Sequence, residues 1–151
     1  MPLTVRIITP SGTLWDAPAQ AAILPSKTGE MGILAGHVAV TTALNVGVIR
    51  LQANGKWIPI CIMGGFAQVE GDEVIILVHG AERGDQIDTK EAQGALEQAE
   101  DKLSQAQSTE EKLRAKVWVK QARARLKASQ ASNYSQQKPG LVKNPVSDKY
   151  S

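Results

Sequence analysis

The stretch Gly29-Glu30-Met31-Gly32-Ile33-Leu34-Ala35-Gly36-His37-Val38-Ala39-Val40-Thr41-Thr42-Ala43-Leu44 sets glycines at 29, 32 and 36 ahead of an apolar run that begins at Val38. Glycine takes positive φ and lets backbones approach closely, so three within eight positions predict a tightly folded loop. A phosphate-cradling loop is excluded: the segment holds no G-x-G-x-x-G and no Gly-Lys-Ser/Thr.

On both sides of this loop the chain reads as short strands. Leu3, Val5 and Ile7 alternate along 3–9, Pro10-Ser11-Gly12 turns the chain, and 13–16 returns. A strand over 19–24 is stopped by Pro25. Beyond the loop, 38–44 and 46–52 are strands with Gly47 at the bend between them. Asn54-Gly55 between apolar runs is the strongest hairpin signal and joins 48–52 to 57–63, where Pro59 requires an edge or a bulge. Gly64-Gly65 breaks the chain before 66–70, and Glu70-Gly71-Asp72 turns it into 73–79. Such closely spaced strands describe a β-sandwich or barrel.

At Gly84 the period changes from two to about 3.6. Asp88 and Glu91 form an N-capping pair. Ala92, Leu96, Ala99, Leu103 and Ala106 then mark a heptad seam. Ser108-Thr109-Glu110-Glu111 caps a second helix, whose Ala115, Val119, Ala122 and Leu126 match that seam, so the two make an antiparallel hairpin. Periodicity is lost from Gln130, and the polar tail 131–151 is expected to be disordered. The chain is thus an α+β protein: a β-sandwich or barrel over 1–84, a helical hairpin over 85–130 and a tail over 131–151.

The net charge of +2 hides a division within the hairpin. Residues 86–111 carry two basic and seven acidic side chains, whereas 112–127 carry seven basic and none acidic. Solvated faces that pair across the hairpin are one reading, at about 1 kcal/mol or less per pair. The other starts from the seam, which is rich in alanine and buries little, so the hairpin is weakly held and free to offer its cations to an acidic partner.

An enzyme reading finds little. His37 and His79 are the only histidines, and no Ser or Cys stands in a nucleophile motif. His37, on the glycine loop, reads as a contact residue. Cys61 is the single cysteine and reads as a small buried hydrophobe, consistent with a reducing compartment. No apolar run approaches the roughly 18 residues that span a bilayer, and no signal-peptide pattern opens the chain.

The Gly-Glu-Met-Gly-Ile-Leu-x-Gly-His block with the following Thr42-Ala43-Leu44 and Gly47 resembles the epsilon subunits of F-type ATP synthases, in particular the chloroplast and cyanobacterial branch. Gly64-Gly65-Phe66-Ala67-Gln68-Val69, then 74–77 with Ala81-Glu82, and Ile87-Asp88 continue the resemblance in order over about residues 1–130. Ala35 stands where many members carry Pro.

The resemblance implies an N-terminal β-sandwich over 1–84 followed by the two-helix hairpin, in a non-catalytic rotor subunit, with no cofactor, on the cytoplasmic or stromal face of an energy-transducing membrane such as the thylakoid. It places Gly29, Glu30, Met31, Gly32, Ile33, Leu34, Gly36 and His37 on the surface facing the gamma subunit and the membrane c-ring. It also implies that Arg114, Lys116, Lys120, Arg123 and Arg125 meet the catalytic beta subunit of the alpha/beta head and inhibit ATP hydrolysis. Some members bind ATP through Ile/Leu-Asp-x-x-Arg-Ala. Here Ile87, Asp88, Glu91 and Ala92 retain that motif except for the arginine, so weak or absent ATP binding is expected. The alternative is a nucleic-acid-binding protein using the basic helix 112–127, which a salt titration against DNA distinguishes.

Overall fold

The computed structural model describes residues 2–137, with side chains described through residue 134. The strands are β1 (Leu3–Thr9), β2 (Gly12–Ala19), β3 (Ala21–Ser26), β4 (Gly29–Leu34), β5 (Val40–Ala53), β6 (Lys56–Glu70), β7 (Glu73–Val78) and β8 (Ala81–Arg83). A 3-10 turn at Gly84–Gln86 leads to helices α1 (Thr89–Gln105) and α2 (Thr109–Gln137). The strands follow the order β2-β1-β7-β6-β5-β3-β4, with β8 added to β6. Every pairing is antiparallel except β1 with β7.

Long β5 and β6 strands turn this ribbon into a sandwich, because each serves both layers. Residues 65–70 of β6 pair with β7, whereas 60–62 pair with β8. The alternation read from sequence is realised in β1, where Leu3, Val5 and Ile7 are buried and Thr4 and Arg6 are exposed. These side chains join Ile33, Ile49, Leu51, Ile60, Ile62, Val69, Val74 and Ile76 in one core. The Asn54-Gly55 turn has positive φ at both positions, 54° and 75°, as a two-residue hairpin of the right twist requires.

Several punctuation marks act differently from expectation. Most of the glycine stretch is not a loop: Gly29–Leu34 is β4, paired with β3, and the chain turns only at 35–36. Pro25 does not end β3. It lies where the register with β5 shifts, a bulge that needs no donor from it. Gly47 is the counterpart of that bulge, since a Cβ there would stand 2.9 Å from the Pro25 ring. Gly47 therefore makes room inside β5 instead of dividing it, and the two expected strands are one. Pro59 pairs with Arg50 just before β8 joins at Ile60, so it sits on an open edge as expected.

Gly64-Gly65 likewise does not break β6. It carries the strand from one layer to the other at φ +89° and +155°. The helical seam is realised by Ala99, Val119 and Ala122, with Leu96 and Leu103 packed against them. Residues 131–137 continue α2 and are not a disordered tail, since Ser132 finds a buried place. The remainder of the expected tail, 138–151, lies outside the described residues.

A Cβ on Gly65 would lie 2.0 Å from the Leu77 carbonyl oxygen in a backbone conformation that L-residues rarely adopt. Gly65→Ala is expected to destabilise the sandwich by about 3 kcal/mol or more. Thermal melting measures it, and an unchanged midpoint would contradict the role given to Gly65.

Candidate functional site

β4 is an end strand, so its outer side is open. It carries Gly29 to Leu34 over a length of roughly 17 Å, with Gly36 and His37 beyond its end, and therefore does not gather the expected contact residues into one spot. Ile33 is fully buried in the core and offers no side chain to a partner. Glu30 turns its carboxylate inward to Arg50, which is itself buried on β5. Gly29, Gly32 and Gly36 are exposed, and Met31 and His37 are half-buried.

The end of β4 forms a corner. Gly36 N–H donates to Asp72 Oδ1 at 2.9 Å, His37 N–H donates to the Leu34 carbonyl at 3.1 Å, and the His37 ring Nδ1 lies 2.7 Å from the Val38 carbonyl oxygen. Local bonds therefore hold His37, while Leu34 and Val38 stand 64% and 75% exposed beside it. A second apolar surface escaped the sequence reading. Phe66 and Leu77 are 59% and 52% exposed, and they are direct cross-strand neighbours. In register beside them lie Ala43 on β5 and Ile8 on β1, which completes a row across four strands. The signal was present as apolar residues on the polar phase of alternating strands.

The hairpin contributes the second region. Asp88 accepts from the Lys90 and Glu91 backbone N–H groups at 2.9 and 3.1 Å and so caps α1. The Glu91 side chain does not complete a capping pair. Arg125 donates to it through Nη1 and Nη2 at 3.3 and 3.0 Å, and through Nε to Glu82 of β8 at 3.0 Å. Bonds to Glu91, then to Glu82, hold the Arg125 guanidinium pKa above its ordinary value against the opposing effect of burial. At the second helix half of the expected box forms: Glu111 N–H donates to Ser108 Oγ at 3.0 Å, whereas the Glu111 carboxylate accepts from the N–H of Gln107, one residue before the cap, at 3.3 Å.

The acidic and basic helices do not neutralise each other along their length. Among the described residues, Arg125–Glu91 is the only salt bridge between α1 and α2. Arg114 pairs within its own helix with Glu110. Lys112, Lys116, Lys120, Arg123 and Lys127, spaced by four, four, three and four, line an exposed face of α2.

The degenerate nucleotide motif is taken up by structure. Ile87 and Ala92 are buried against Ala124 and Ala128 of α2 and against Val48 and Cys61 of the sandwich. Asp88 is the cap, and Glu91 already shares Arg125 with Glu82. Two carboxylates around one guanidinium leave a net negative charge, which does not fit a polyphosphate. His79 is exposed at the end of β7, near Gly64. Burial, with a smaller effect of Glu82, pushes the Cys61 thiol up to about 12, which fits the inert hydrophobe expected.

Comparison with known proteins gives two family matches. The ATP synthase Delta/Epsilon chain beta-sandwich domain matches residues 2–84, and the Delta/Epsilon chain long alpha-helix domain matches 85–130. The chain is similar to the ATP synthase epsilon chain of Trichodesmium erythraeum (strain IMS101), 54% identical over 132 residues that cover 85% of this chain and 96% of that one. It is similar also to the chloroplastic ATP synthase epsilon chain of Pyropia yezoensis, at 48% identity over 132 residues covering 87% and 98%. Among solved structures, a chain of the Euglena gracilis mitochondrial ATP synthase (OSCP/F1/c-ring) superposes with a TM-score of 0.74 at 26% identity, covering 85% of this chain and 81% of that one. A chain of the Tetrahymena thermophila mitochondrial ATP synthase central stalk/c-ring shares the fold at a TM-score of 0.56 and 16% identity, covering 85% and 97%.

Calorimetric titration of the full chain with ATP and magnesium is expected to show no binding in the micromolar range. Micromolar binding that Asp88→Ala abolishes would contradict the assignment of Asp88, Glu91 and Arg125 to holding the hairpin.

Proposed function

The chain belongs to the epsilon chains of F-type ATP synthases, subunits of the central stalk, and we propose that its sandwich joins the gamma subunit to the c-ring while its hairpin restrains ATP hydrolysis. In this reading it transmits torque and catalyses nothing itself. One observation supports the division of labour: the sandwich sets Phe66 and Leu77 side by side on its surface, whereas α2 exposes a row of cations beside Leu113, Val117 and Trp118, so the two parts suit chemically different partners.

The row Ile8, Ala43, Phe66 and Leu77 suits an extended, dry contact with gamma. Large exposed side chains set side by side are what protein interfaces use as anchors. The corner of Leu34, Gly36, His37 and Val38 is the second contact, at the end where β4 meets β5, and it suits the c-ring. Glu30 supports this corner indirectly, because its pairing with Arg50 ties β4 to β5 across the intervening β3. The finer assignment of 29–37 thus narrows to its carboxyl-terminal half.

Lys116, Lys120 and Arg123 are exposed and are the cations best placed to meet an acidic segment of a catalytic beta subunit. Arg125 is engaged with Glu82 and Glu91, so it joins them only after the hairpin leaves its seat. The family match over 85–130 takes in this same basic helix and supports a protein partner within the synthase over nucleic acid. Among the described residues no helix is long and apolar enough to cross a membrane. Attachment to a thylakoid membrane would then come through the assembled complex, in keeping with the cyanobacterial and chloroplastic relatives.

Two measurements test these assignments. Phe66→Asp is expected to weaken gamma binding about tenfold or more while moving stability by only about 0.5 kcal/mol, since the side chain is on the surface. A normal gamma affinity would remove the row from the interface. Reversal of Lys116, Lys120 and Arg123 to Glu is expected to raise ATP hydrolysis by the reconstituted complex about twofold or more. Unchanged hydrolysis with intact helicity would sink the electrostatic form of inhibition.

A further inference from the structure

The hairpin sits on the sandwich through a small apolar seat and one charge cluster. In the seat, Ala92, Ala124 and Ala128 meet Val48, Cys61 and Ile87, with Val46, Met63 and Leu126 at its margin. Three of the contacting side chains are single methyl groups, so the area removed from water is modest. Close approach compensates in part: a Cβ on Gly84 would come within 2.4 Å of the Ala128 carbonyl oxygen.

Beside the seat, the side-chain hydrogen bonds of Thr89, Ser129 and Asn133 stay within the hairpin and its lead-in. Ser129 Oγ donates to the Ile87 carbonyl at 3.3 Å, Thr89 and Ser129 share a hydroxyl bond, and Asn133 Nδ2 donates to Thr89 Oγ1 at 2.9 Å. These bonds would travel with the helices if the pair swung away. Arg125–Glu82 is different. Among the described residues it is the only salt bridge between the sandwich and a helix, and the same guanidinium makes the only one between the helices.

We propose that Glu82, Arg125 and Glu91 form an ionic latch that sets how often the hairpin leaves the sandwich, so that the resting conformation responds to ionic strength and to any acidic surface that competes for Arg125. The charges lie where solvent reaches them, with the Arg125 side chain 22% exposed and both carboxylates about half exposed. Mobile ions therefore screen the latch, whereas they leave the apolar seat and the Gly84 approach unweakened. An incoming acidic segment exchanges one carboxylate partner of Arg125 for another and needs to strip no buried charge. The latch belongs to the chain by itself, so it stands or falls independently of whether the released hairpin inhibits hydrolysis.

Cys61 supplies a built-in reporter. It is the only cysteine, it lies in the seat between Val48 and the α2 alanines, and it is fully buried there. Undocking exposes it on the outer face of the sheet without unfolding the strands.

The experiment follows the alkylation rate of Cys61 in the full chain at constant pH with uncharged iodoacetamide. Raising sodium chloride from about 0.05 to about 1 M, which shortens screening from roughly 14 to 3 Å, should speed alkylation about 3- to 10-fold, the range expected for two partly exposed pairs. Arg125→Gln should react at the fast rate at both salt concentrations, and Glu91→Gln should lie between. Gly84→Ala, which opens the seat by steric force alone, marks the rate of the released state. Near-ultraviolet circular dichroism checks that the sandwich stays folded in each variant. A rate in the parent chain that salt does not change overturns the latch without reference to any variant. Equal rates for the parent and a folded Arg125→Gln protein overturn it as well.

Discussion

Arg125 reaches from α2 to Glu82 on β8 and to Glu91 on the first turn of α1, so one guanidinium touches all three parts of the fold. The arrangement depends on close packing elsewhere. Gly84 lets the backbone of Ala128 approach, and the small faces of Ala92, Ala124 and Ala128 bring α2 against Cys61 and Val48. Larger residues at these places would bury more surface but would hold Arg125 away from Glu82. The seat thus gives up hydrophobic area for proximity, which brings Arg125 within reach of Glu82. A helical pair attached in this way is held to the sandwich less firmly than the strands are held to one another.

Patterns that depend on neighbours in sequence were legible. Alternation in β1, the Asn54-Gly55 hairpin, the open edge at Pro59 and the heptad seam all follow from local geometry, and the structure has them. Glycine and proline were misread wherever their reason lay across the sheet. Pro25 and Gly47 are twenty-two residues apart and form one feature, a bulge and the space for it. Gly65 serves the bend of β6 past Leu77, which no local reading shows. Helix α2 ran past its expected end because Ser129 and Ser132 are buried polar residues whose places are made by tertiary packing, not by period.

The site was legible at the level of segments and less so at the level of side chains. The glycine stretch does lie along an open strand and corner, yet Ile33 faces the core and Glu30 is bound to Arg50. Phe66 and Leu77 were passed over because each alone is an ordinary strand residue, and only the register makes them neighbours. Glu91 was recognised as the departure from a nucleotide motif, but its partner was not. The sequence separates Glu91 from Arg125 by thirty-four residues, and the antiparallel hairpin brings them together. The reversal of charge at 91 then has a structural meaning: a carboxylate of α1 takes the cation of α2 and ties the two helices together, while Glu82 binds the same cation from the sandwich.

The central claim is that the hairpin moves as a unit on a sandwich that stays intact. Residue-resolved amide hydrogen exchange on the full chain tests it most directly. The account predicts that α1 and α2 exchange together, faster than the core amides of β5 and β6, and that Arg125→Gln speeds the helices while leaving those strands unchanged. Exchange of helices and strands in a single common transition, slowed or hastened together by that substitution, would contradict it.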